Sequence, residues 1–175
     1  MNERQLIESC RRGDRVGQKD LYDRFARKMM GVCYRYVNDK ETAADLLQDG
    51  FVKVFQSLGS YSGVGSFEGW VRKIFVNTAL EYLRKSDVLR DATDLDNTAE
   101  PVQPDDSAIS SMTAGELMKL VQELPPGFRT VFNLFAIEGY SHKEISDMLN
   151  ITESTSRSQF TRARQILQKK VNALR

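Results

Sequence analysis

The last helix-forming segment of the chain concentrates hydroxyl and cationic side chains on one side. At about 100° per residue, one face gathers the polar side chains of Ser154, Ser158, Thr161, Arg162, Gln165 and Lys169. Arg157 and Arg164 lie at its edge, and Glu153 is the only acidic residue from 153 to 175, against six Lys and Arg. Small hydroxyl groups allow close approach to a DNA groove, while Arg, Gln and Lys can contact bases and phosphates. A solvent-facing helix would mix Glu with Lys, so we interpret this face as DNA-reading.

A second helix signal precedes this segment, with a very short turn between the two. Ser141 has the position of an N-cap, and Glu144 three residues later completes a capping box. Asn150 suits a left-handed helix end, and Thr152 is expected to cap the last helix. The core positions predicted on that helix are Ser156, Phe160, Ala163, Leu167 and Val171. The pattern predicts a helix-turn-helix.

An acidic stripe runs along another helix-forming segment, DKETAADLLQDGFVKVFQSL. The helical spacing predicts a buried face made of Leu47, Phe51, Val54 and Leu58. A different stripe comprises Asp45, Gln48, Asp49 and Val52. By spacing alone this stripe is either a solvated helix face or a docking surface for another protein.

A cationic stripe is predicted on the segment SFEGWVRKIFVNTALEYLRK, which follows the Gly/Ser-rich loop GSYSGVGS. We expect a wide core face comprising Phe67, Trp70, Val71, Ile74, Phe75, Thr78 and Tyr82. The second stripe comprises Lys73, Asn77, Leu80 and Arg84. Cations and an amide suit phosphate and base-edge contacts, although ordinary surface Lys and Arg give the same pattern. Tyr61 and the small residues around it could hold an unstacked base, or the loop could be a plain connection.

The elements that must position these residues are helices in two blocks. In the first half of the chain, helix signals cover 2–12, 15–37, 41–58 and 66–86. The formal net charge is +4 over residues 1–86, −7 over 87–123 and +4 over 124–175. The acidic middle contains two Pro and has neither a helical nor a strand period, which predicts an extended linker. We therefore expect an all-α fold with two small helical domains, 1–88 and 112–175, joined by an acidic flexible linker at 89–111.

Composition and residue counts exclude several classes of protein. The chain has 175 residues, 41% hydrophobic and 28% charged, which suits a soluble globular protein. Its polar start and the lack of an apolar run near ~20 residues argue against a signal peptide or membrane anchor. Cys10 and Cys33 lack a C-x-x-C partner and His142 is the only histidine, so we expect reduced core thiols, no metal site, no cofactor and a cytoplasmic location. No carboxylate pair, Cys/His set or nucleotide-binding loop indicates an enzyme.

Together these motifs resemble the bacterial sigma factors of the extracytoplasmic function (ECF) group over nearly the whole chain. DLLQDGFVKVFQ resembles their polymerase-binding helix, and SFEGWVRKIFVNTALEYLRK resembles the helix that reads the −10 promoter element. LPPGFRTVFNLFAIEGYSHKEISDMLNITESTSRSQFTRAR resembles their −35-reading domain. The resemblance implies a non-enzymatic protein that binds core RNA polymerase, recognises promoter DNA and melts it, without a small-molecule substrate. It also implies control by an anti-sigma factor.

The resemblance assigns roles to individual residues. Those implied in core-polymerase binding are Asp45, Leu46, Gln48, Asp49 and Phe51, of which Phe51 is expected to be structural. Those implied in −10 binding are Tyr61, Ser62 and Gly63 of a base-capturing loop, together with Lys73, Asn77 and Arg84. Those implied in −35 binding are Ser154, Thr155, Arg157, Ser158, Thr161, Arg162 and Arg164. Ser156 departs from the family, which usually has an aliphatic residue there, and this predicts weaker packing. Gly50 costs about 1 kcal/mol in helix propensity relative to Ala.

Two rival functions compete with this interpretation. A helical adaptor that binds only proteins would have no need of a one-sided cationic last helix. A repressor or activator that binds a duplex operator without polymerase would have no use for the acidic stripe or the Gly/Ser-rich loop. Promoter-selective transcription with core polymerase would separate the three.

Overall fold

In a computed structural model of the protein, residues 1–86, 89 and 112–174 are described, and these form helices and turns with no strand among them. The chain divides into two compact units, Met1–Tyr82 and Leu83–Arg175. The predicted all-α class with two helical domains is therefore confirmed. The acidic linker proposed at 89–111 lies outside the described residues except for Leu89, and the domain limits at 88 and 112 stay predictions.

Four helices build the N-terminal part: α1 (Glu3–Arg11), α2 (Arg15–Val37), α3 (Lys40–Ser57) and α4 (Phe67–Lys85). Their bounds agree with the sequence prediction to within one residue. Each of the first three begins at a side-chain cap, provided by Asn2, Asp14 and Asp39. The side-chain oxygens of these caps accept hydrogen bonds from backbone N–H groups of the first turn, which have no partner inside the helix. Local capping chemistry therefore accounts for where these helices start.

Two glycines inside these helices allow close approach of neighbouring elements. A Cβ added to Gly50 in α3 would lie 2.2 Å from Cε1 of Phe75 in α4. A Cβ added to Gly17 in α2 would lie 2.3 Å from Oγ of Ser9 in α1. Real Cβ atoms do not approach other atoms so closely. Any side chain larger than that of glycine at either position would therefore push the neighbouring group away. The helix-propensity cost expected at Gly50 is thus accompanied by contact between α3 and α4.

Both cysteines are free and buried, as the sequence predicted. Burial raises the pKa of the Cys33 thiol to about 12. Burial, with smaller contributions from Asp20 and Asp14, also raises the pKa of Cys10. Because the thiolate is the reactive form, both side chains behave as small core residues.

The C-terminal part contains α5 (Ala114–Gln122), α6 (Pro126–Phe132), α7 (His142–Leu149) and α8 (Glu153–Ala173). A π-helical turn, Asn133–Ile137, continues α6 toward the turn before α7. The shared core of α5, α6 and α8 comprises Leu120, Val121, Leu124, Phe128, Phe132, Ala163, Leu167 and Val171. Ala163, Leu167 and Val171 bury one face of α8 in this core, and the opposite face of the helix stays exposed.

Arg129 of α6 is a buried cation. Its Nη1 donates to the carbonyl oxygen of Gln122, the last residue of α5, at 2.9 Å. A cation there satisfies a terminal carbonyl and opposes the negative end of the helix dipole. Burial lowers the pKa of Arg129, but an arginine stays charged at any physiological pH. Arg129 thereby ties the end of α5 to α6.

Candidate functional site

The acidic stripe of α3 lies on the surface of the N-terminal unit. Asp45, Gln48 and Asp49 are exposed, and Val52 extends the stripe at 53% exposure. The opposite face is buried, because Leu47, Phe51, Val54 and Leu58 all lie in the core, as predicted. The stripe is therefore free to meet a partner without disturbing the packing of α3.

Two residues predicted for the same surface have no access to it. Leu46 and Phe51 are only 3% and 4% exposed, so their side chains pack α3 rather than present a contact. This matches the structural role expected of Phe51, while the role of Leu46 in core-polymerase binding stays a prediction. An apolar side chain at the edge of a helix is drawn into the core when a neighbouring helix covers it.

Tyr22 of α2 is a surface aromatic beside α3 that sequence reasoning missed. Its ring centroid lies 4.8 Å from that of Phe51, yet the side chain stays 43% exposed. Tyr22 lies beside α3 only because α2 packs against α3. Spacing within α2 therefore offered no signal for it.

The loop between α3 and α4 is organised around a buried tyrosine. Tyr61 is only 8% exposed, with its ring centroid 5.2 Å from each of the Phe67 and Trp70 rings. Its hydroxyl donates to the carbonyl oxygen of Gly65 at 3.1 Å. The Tyr61 ring is therefore largely covered by its aromatic neighbours in this structure, and its part in holding an unstacked base stays a prediction. The exposed residues of the loop are Gly59, Ser60 and residues 62–66.

The cationic stripe of α4 is present, but one member predicted for it is not on the surface. Lys73, Asn77 and Arg84 are exposed. Leu80 is fully buried, whereas Tyr82, predicted for the core, is 40% exposed. Because α4 is apolar over most of its circumference, helical spacing alone could not decide which side the neighbouring helices cover. The three polar residues still lie within one surface strip.

The helix-turn-helix of α7 and α8 has the predicted caps. The Ser141 Oγ accepts the Glu144 N–H at 3.1 Å, and the Glu144 carboxylate accepts the Ser141 N–H at 3.1 Å. Asn150 ends α7 in the left-handed region at φ 55°. Thr152 caps α8 by accepting the Thr155 N–H at 3.0 Å. These local bonds define the sharp turn that places α8 after α7.

The predicted DNA-reading face of α8 is polar and accessible along its first three turns. Ser154, Arg157, Ser158 and Thr161 are exposed, while Thr155, Arg162 and Arg164 are half-buried. Arg157 lies 3.5 Å from the Glu153 carboxylate, an exposed ion pair of little energetic consequence. The guanidinium of Arg164 stands over the Phe160 ring, 5.8 Å from its centroid, which holds this cation close to the helix surface.

A hydrogen bond joins the two helices at Ser156, the position where the sequence resemblance led us to expect an aliphatic residue. Ser156 of α8 is fully buried, and its Oγ lies 2.8 Å from Nδ1 of His142 in α7. The imidazole stacks on Phe135 with centroids 4.2 Å apart and planes 8° from parallel. Sequence reasoning expected weaker packing at Ser156 and did not identify His142 as its partner. The residues are 14 apart, so only folding brings them together.

The pKa of His142 is lowered from its ordinary value of 6.5, chiefly by burial and then by the nearby Arg157 cation, with Glu153 opposing. The folded unit consequently holds fewer protons at this site than the unfolded chain. The contribution of neutral His142 to the stability of the folded unit is fully present above the pKa that this histidine has in the unfolded chain. That contribution is lost as the pH drops below this value. We expect the midpoint of thermal unfolding to decrease between about pH 7 and about pH 5.5, and His142→Gln to lose that dependence.

The measurement is thermal unfolding of both proteins across this pH range. Carboxylates with lowered pKa values, such as Glu116, titrate at lower pH and change both proteins alike. Equal pH dependence in the two proteins would contradict the assignment, because His142 is the only histidine in the chain.

Two other features are absent from the part of the chain that the structure describes: a metal-binding cluster and a membrane-spanning helix. Among residues 1–86, 89 and 112–174, no group of three or more His, Cys, Asp or Glu could hold a metal ion. Within the same ranges, every helix is too short or too polar for a transmembrane span.

Comparisons with known proteins match both units of the chain. The family described as Sigma-70 region 2 matches residues 21–88, and the one described as Sigma-70, region 4 matches residues 114–167. The RNA polymerase sigma-H factor of Pseudomonas aeruginosa is 30% identical over 98% of this chain and 95% of its own length. The ECF RNA polymerase sigma-E factor of Haemophilus influenzae is 27% identical over 99% of this chain and 97% of its own length.

Two solved structures share the fold. CnrH in complex with the cytosolic domain of CnrY matches 98% of this chain and 97% of its own, with a TM-score of 0.52 and 20% identity. The sigma factor RpoE of Bartonella quintana, in complex with the anti-sigma factor NepR, matches 90% and 99% of the two chains, with a TM-score of 0.53 and 19% identity.

Proposed function

The chain belongs to the sigma-70 family, in its extracytoplasmic function (ECF) group, and from this premise we propose how its surfaces direct transcription. It binds core RNA polymerase, directs the enzyme to promoters through −10 and −35 contacts, and initiates transcription. One observation supports the assignment of surfaces: the N-terminal unit exposes an acidic stripe, and the C-terminal unit exposes a cationic helix-turn-helix face. A single chain with both surfaces can join a protein partner to DNA.

Docking on core polymerase is assigned to the acidic stripe of α3. Asp45, Gln48 and Asp49 supply charge and hydrogen-bond acceptors, while buried Leu46 and Phe51 hold α3 in place. Acidic side chains favour a basic partner surface and accelerate association with it. Val52, which is exposed on the stripe, and the exposed ring of Tyr22, which packs on Phe51, add apolar contact area.

Contact with the −10 element is assigned to the loop after α3 and to the strip on α4. Ser62 and Gly63 offer backbone and hydroxyl groups to an unstacked base, and Tyr61 supports them from within the core. To Lys73, Asn77 and Arg84, which are exposed, we assign contacts along the DNA strand. Cations of this kind contribute salt-dependent affinity through phosphate contacts, and the amide can add base-edge contact.

Contact with the −35 element is assigned to the start of α8. Ser154, Thr155 and Ser158 allow close approach to the major groove, and the hydroxyl of Thr161 is anchored on the Arg157 carbonyl at 2.9 Å. The long side chains of Arg157, Arg162 and Arg164 reach bases or phosphates. This division of small residues first and long cations later suits a recognition helix that enters the groove by its N-terminal end.

Replacing Arg157 or Arg162 by Ala should weaken −35 contact, by about 1–3 kcal/mol if a bidentate base contact is lost. Binding to core polymerase should be unchanged, because α3 lies in the other unit. Lys119→Ala removes an equal charge from an exposed position on another helix of the same unit, α5, and serves as the control. Transcription from a −35-dependent promoter that is indifferent to both arginine changes would show that α8 does not read the groove.

Partner, activity and location follow from the same premise. Sigma factors are initiation factors, and we propose that this chain catalyses no reaction itself and takes neither a cofactor nor a small-molecule substrate. An RpoE of the same fold is bound by an anti-sigma factor, and we propose such a partner here. Because core polymerase and promoter DNA lie in the cytoplasm, we propose that location.

The experiment that tests the function is reconstitution. The full chain is mixed with bacterial core polymerase, and co-migration and transcript start sites are measured. We expect a stable complex and transcripts from a restricted set of promoters. Failure to co-migrate, together with tight binding of the free chain to one duplex, would favour the operator-binding alternative.

A further inference from the structure

A long-range pair of hydrogen bonds connects α1 to the loop that follows α3. Nε of Arg11 donates to the carbonyl oxygen of Leu58 at 3.0 Å, and Nη2 donates to that of Tyr61 at 2.7 Å. The partners are 47 and 50 residues away in the chain. Bonds from a charged donor are stronger than neutral ones, and the planar guanidinium fork fixes two acceptors in one geometry. Arg11 therefore holds two carbonyl groups of one segment at once.

The same loop is closed a second time by its own tyrosine. The Tyr61 hydroxyl donates to the carbonyl oxygen of Gly65, so both ends of the segment 62–65 are attached to one buried residue. Within it, Gly63 and Gly65 both have φ of 81°, a region that favours glycine, and Val64 is 83% exposed. A short loop with positive φ values and two braces presents its backbone in one arrangement.

Leu58 itself is buried, but the loop beyond Tyr61 does not pack closely on α1. A cavity of about 340 Å³ opens there, lined by Arg4, Ile7, Glu8, Arg11, Ser62 and Gly63 among others. Because Ser62 and Gly63 line this open space, the bond from Arg11 to the Tyr61 carbonyl holds the start of the exposed loop against α1. A loop that is ordered before it binds loses less conformational entropy on binding.

We propose that Arg11 is a positioning residue for promoter opening. It acts through the carbonyls of Leu58 and Tyr61, which hold the exposed loop ready for an unstacked non-template base. This inference rests on the proposed function of the loop. Arg11 itself needs no contact with DNA, which distinguishes it from the cations of α4 that follow the strand.

The test uses holoenzyme reconstituted from the full chain and core polymerase, on a promoter selected from a random DNA library with wild-type holoenzyme. Arg11→Met keeps the length of the side chain and removes its donors, and Arg11→Lys restores charge without the fork. Arg12→Met, on the neighbouring exposed residue, is the matched control. Open complexes are counted by permanganate reactivity of unpaired thymines, and affinity is measured for a single-stranded non-template −10 oligonucleotide.

We expect Arg11→Met to lower both quantities roughly tenfold, the loss typical of a hydrogen bond from a charged group. Arg11→Lys should be intermediate and Arg12→Met close to wild type. The decisive readout is an oligonucleotide series with one abasic site at each −10 position. Where the abasic site removes the captured base, wild type and Arg11→Met should bind equally, because a positioned loop has nothing left to hold.

Other results overturn the inference. A defect that persists at every abasic position would mean that Arg11 contacts the DNA backbone or merely stabilises the fold. Wild-type behaviour of Arg11→Met would mean that the loop needs no brace. If no abasic position weakens the wild-type protein, the base-capturing function itself fails, and the inference fails with it. Should Arg11→Met unfold, Arg11→Lys serves in its place and is expected to show a smaller defect with the same convergence.

Discussion

Asp49→Lys is expected to abolish binding to core polymerase while the N-terminal unit stays folded. Asp49 is exposed on α3, next to Asp45 and Gln48 and away from buried Leu47 and Val54. A lysine there meets a basic partner surface, and like charges brought together in an interface cost several kcal/mol. The measurement is co-migration with core polymerase, accompanied by circular dichroism of the free protein.

Asp23→Lys on α2 is the matched control. It changes the net charge by the same amount, and its partner Lys19 forms an exposed ion pair of little energetic consequence. We expect this variant to bind core polymerase like wild type. Loss of binding in both variants would point to net charge rather than to the stripe, and retained binding in Asp49→Lys would exclude the stripe as the docking surface.

A promoter footprint distinguishes docking from DNA reading. Each unit offers few phosphate contacts, so the free protein should protect promoter DNA weakly. Core polymerase would hold both units at promoter spacing and convert two weak contacts into one strong one. We therefore expect a footprint from wild type only with core enzyme, and none from Asp49→Lys. A tight, sequence-specific footprint from wild-type protein alone would contradict the polymerase-dependent mechanism.

Gly50→Ala is expected to destabilise the N-terminal unit by about 1–3 kcal/mol, the usual cost of overpacking a core. The added methyl group would lie 2.2 Å from the Phe75 ring. That ring is fully buried and is in edge contact with Phe51, with centroids 5.1 Å apart, so it cannot swing aside freely. Overpacking must outweigh the gain of about 1 kcal/mol in helix propensity that alanine brings. Chemical denaturation measures the net change.

Two further variants give this prediction its controls. Gly31→Ala lies in α2, where an added Cβ meets nothing within 4 Å, and should stabilise by up to about 1 kcal/mol. Gly50→Ala combined with Phe75→Leu should be less destabilised than the sum of the single changes, because the smaller side chain makes room. Equal or increased stability of Gly50→Ala alone would show that α3 and α4 can separate at no cost.

The local features of this protein could be predicted from the sequence alone. Helix bounds, the capping box of Ser141 and Glu144, the left-handed Asn150 and the exposed polar face of α8 all agree with the structure. Each depends on residues within about one turn of one another, where capping bonds and helical periodicity operate. The acidic stripe of α3 belongs to the same class, because its opposite face is plainly apolar.

Only the tertiary structure decided the features that depend on distant residues. The burial of Tyr61 and Leu80, the exposure of Tyr82, the contact between Gly50 and Phe75, and the bond from His142 to Ser156 all require one helix or loop to meet another. Periodicity identifies an apolar face but not which part of a wide face a neighbour covers, and it contains no information on where a carbonyl will find a donor 50 residues away. The position of the loop between α3 and α4 could therefore be predicted from the sequence, whereas its hydrogen bonds to Arg11 could not. Those bonds form because packing brings together groups that are far apart in the chain.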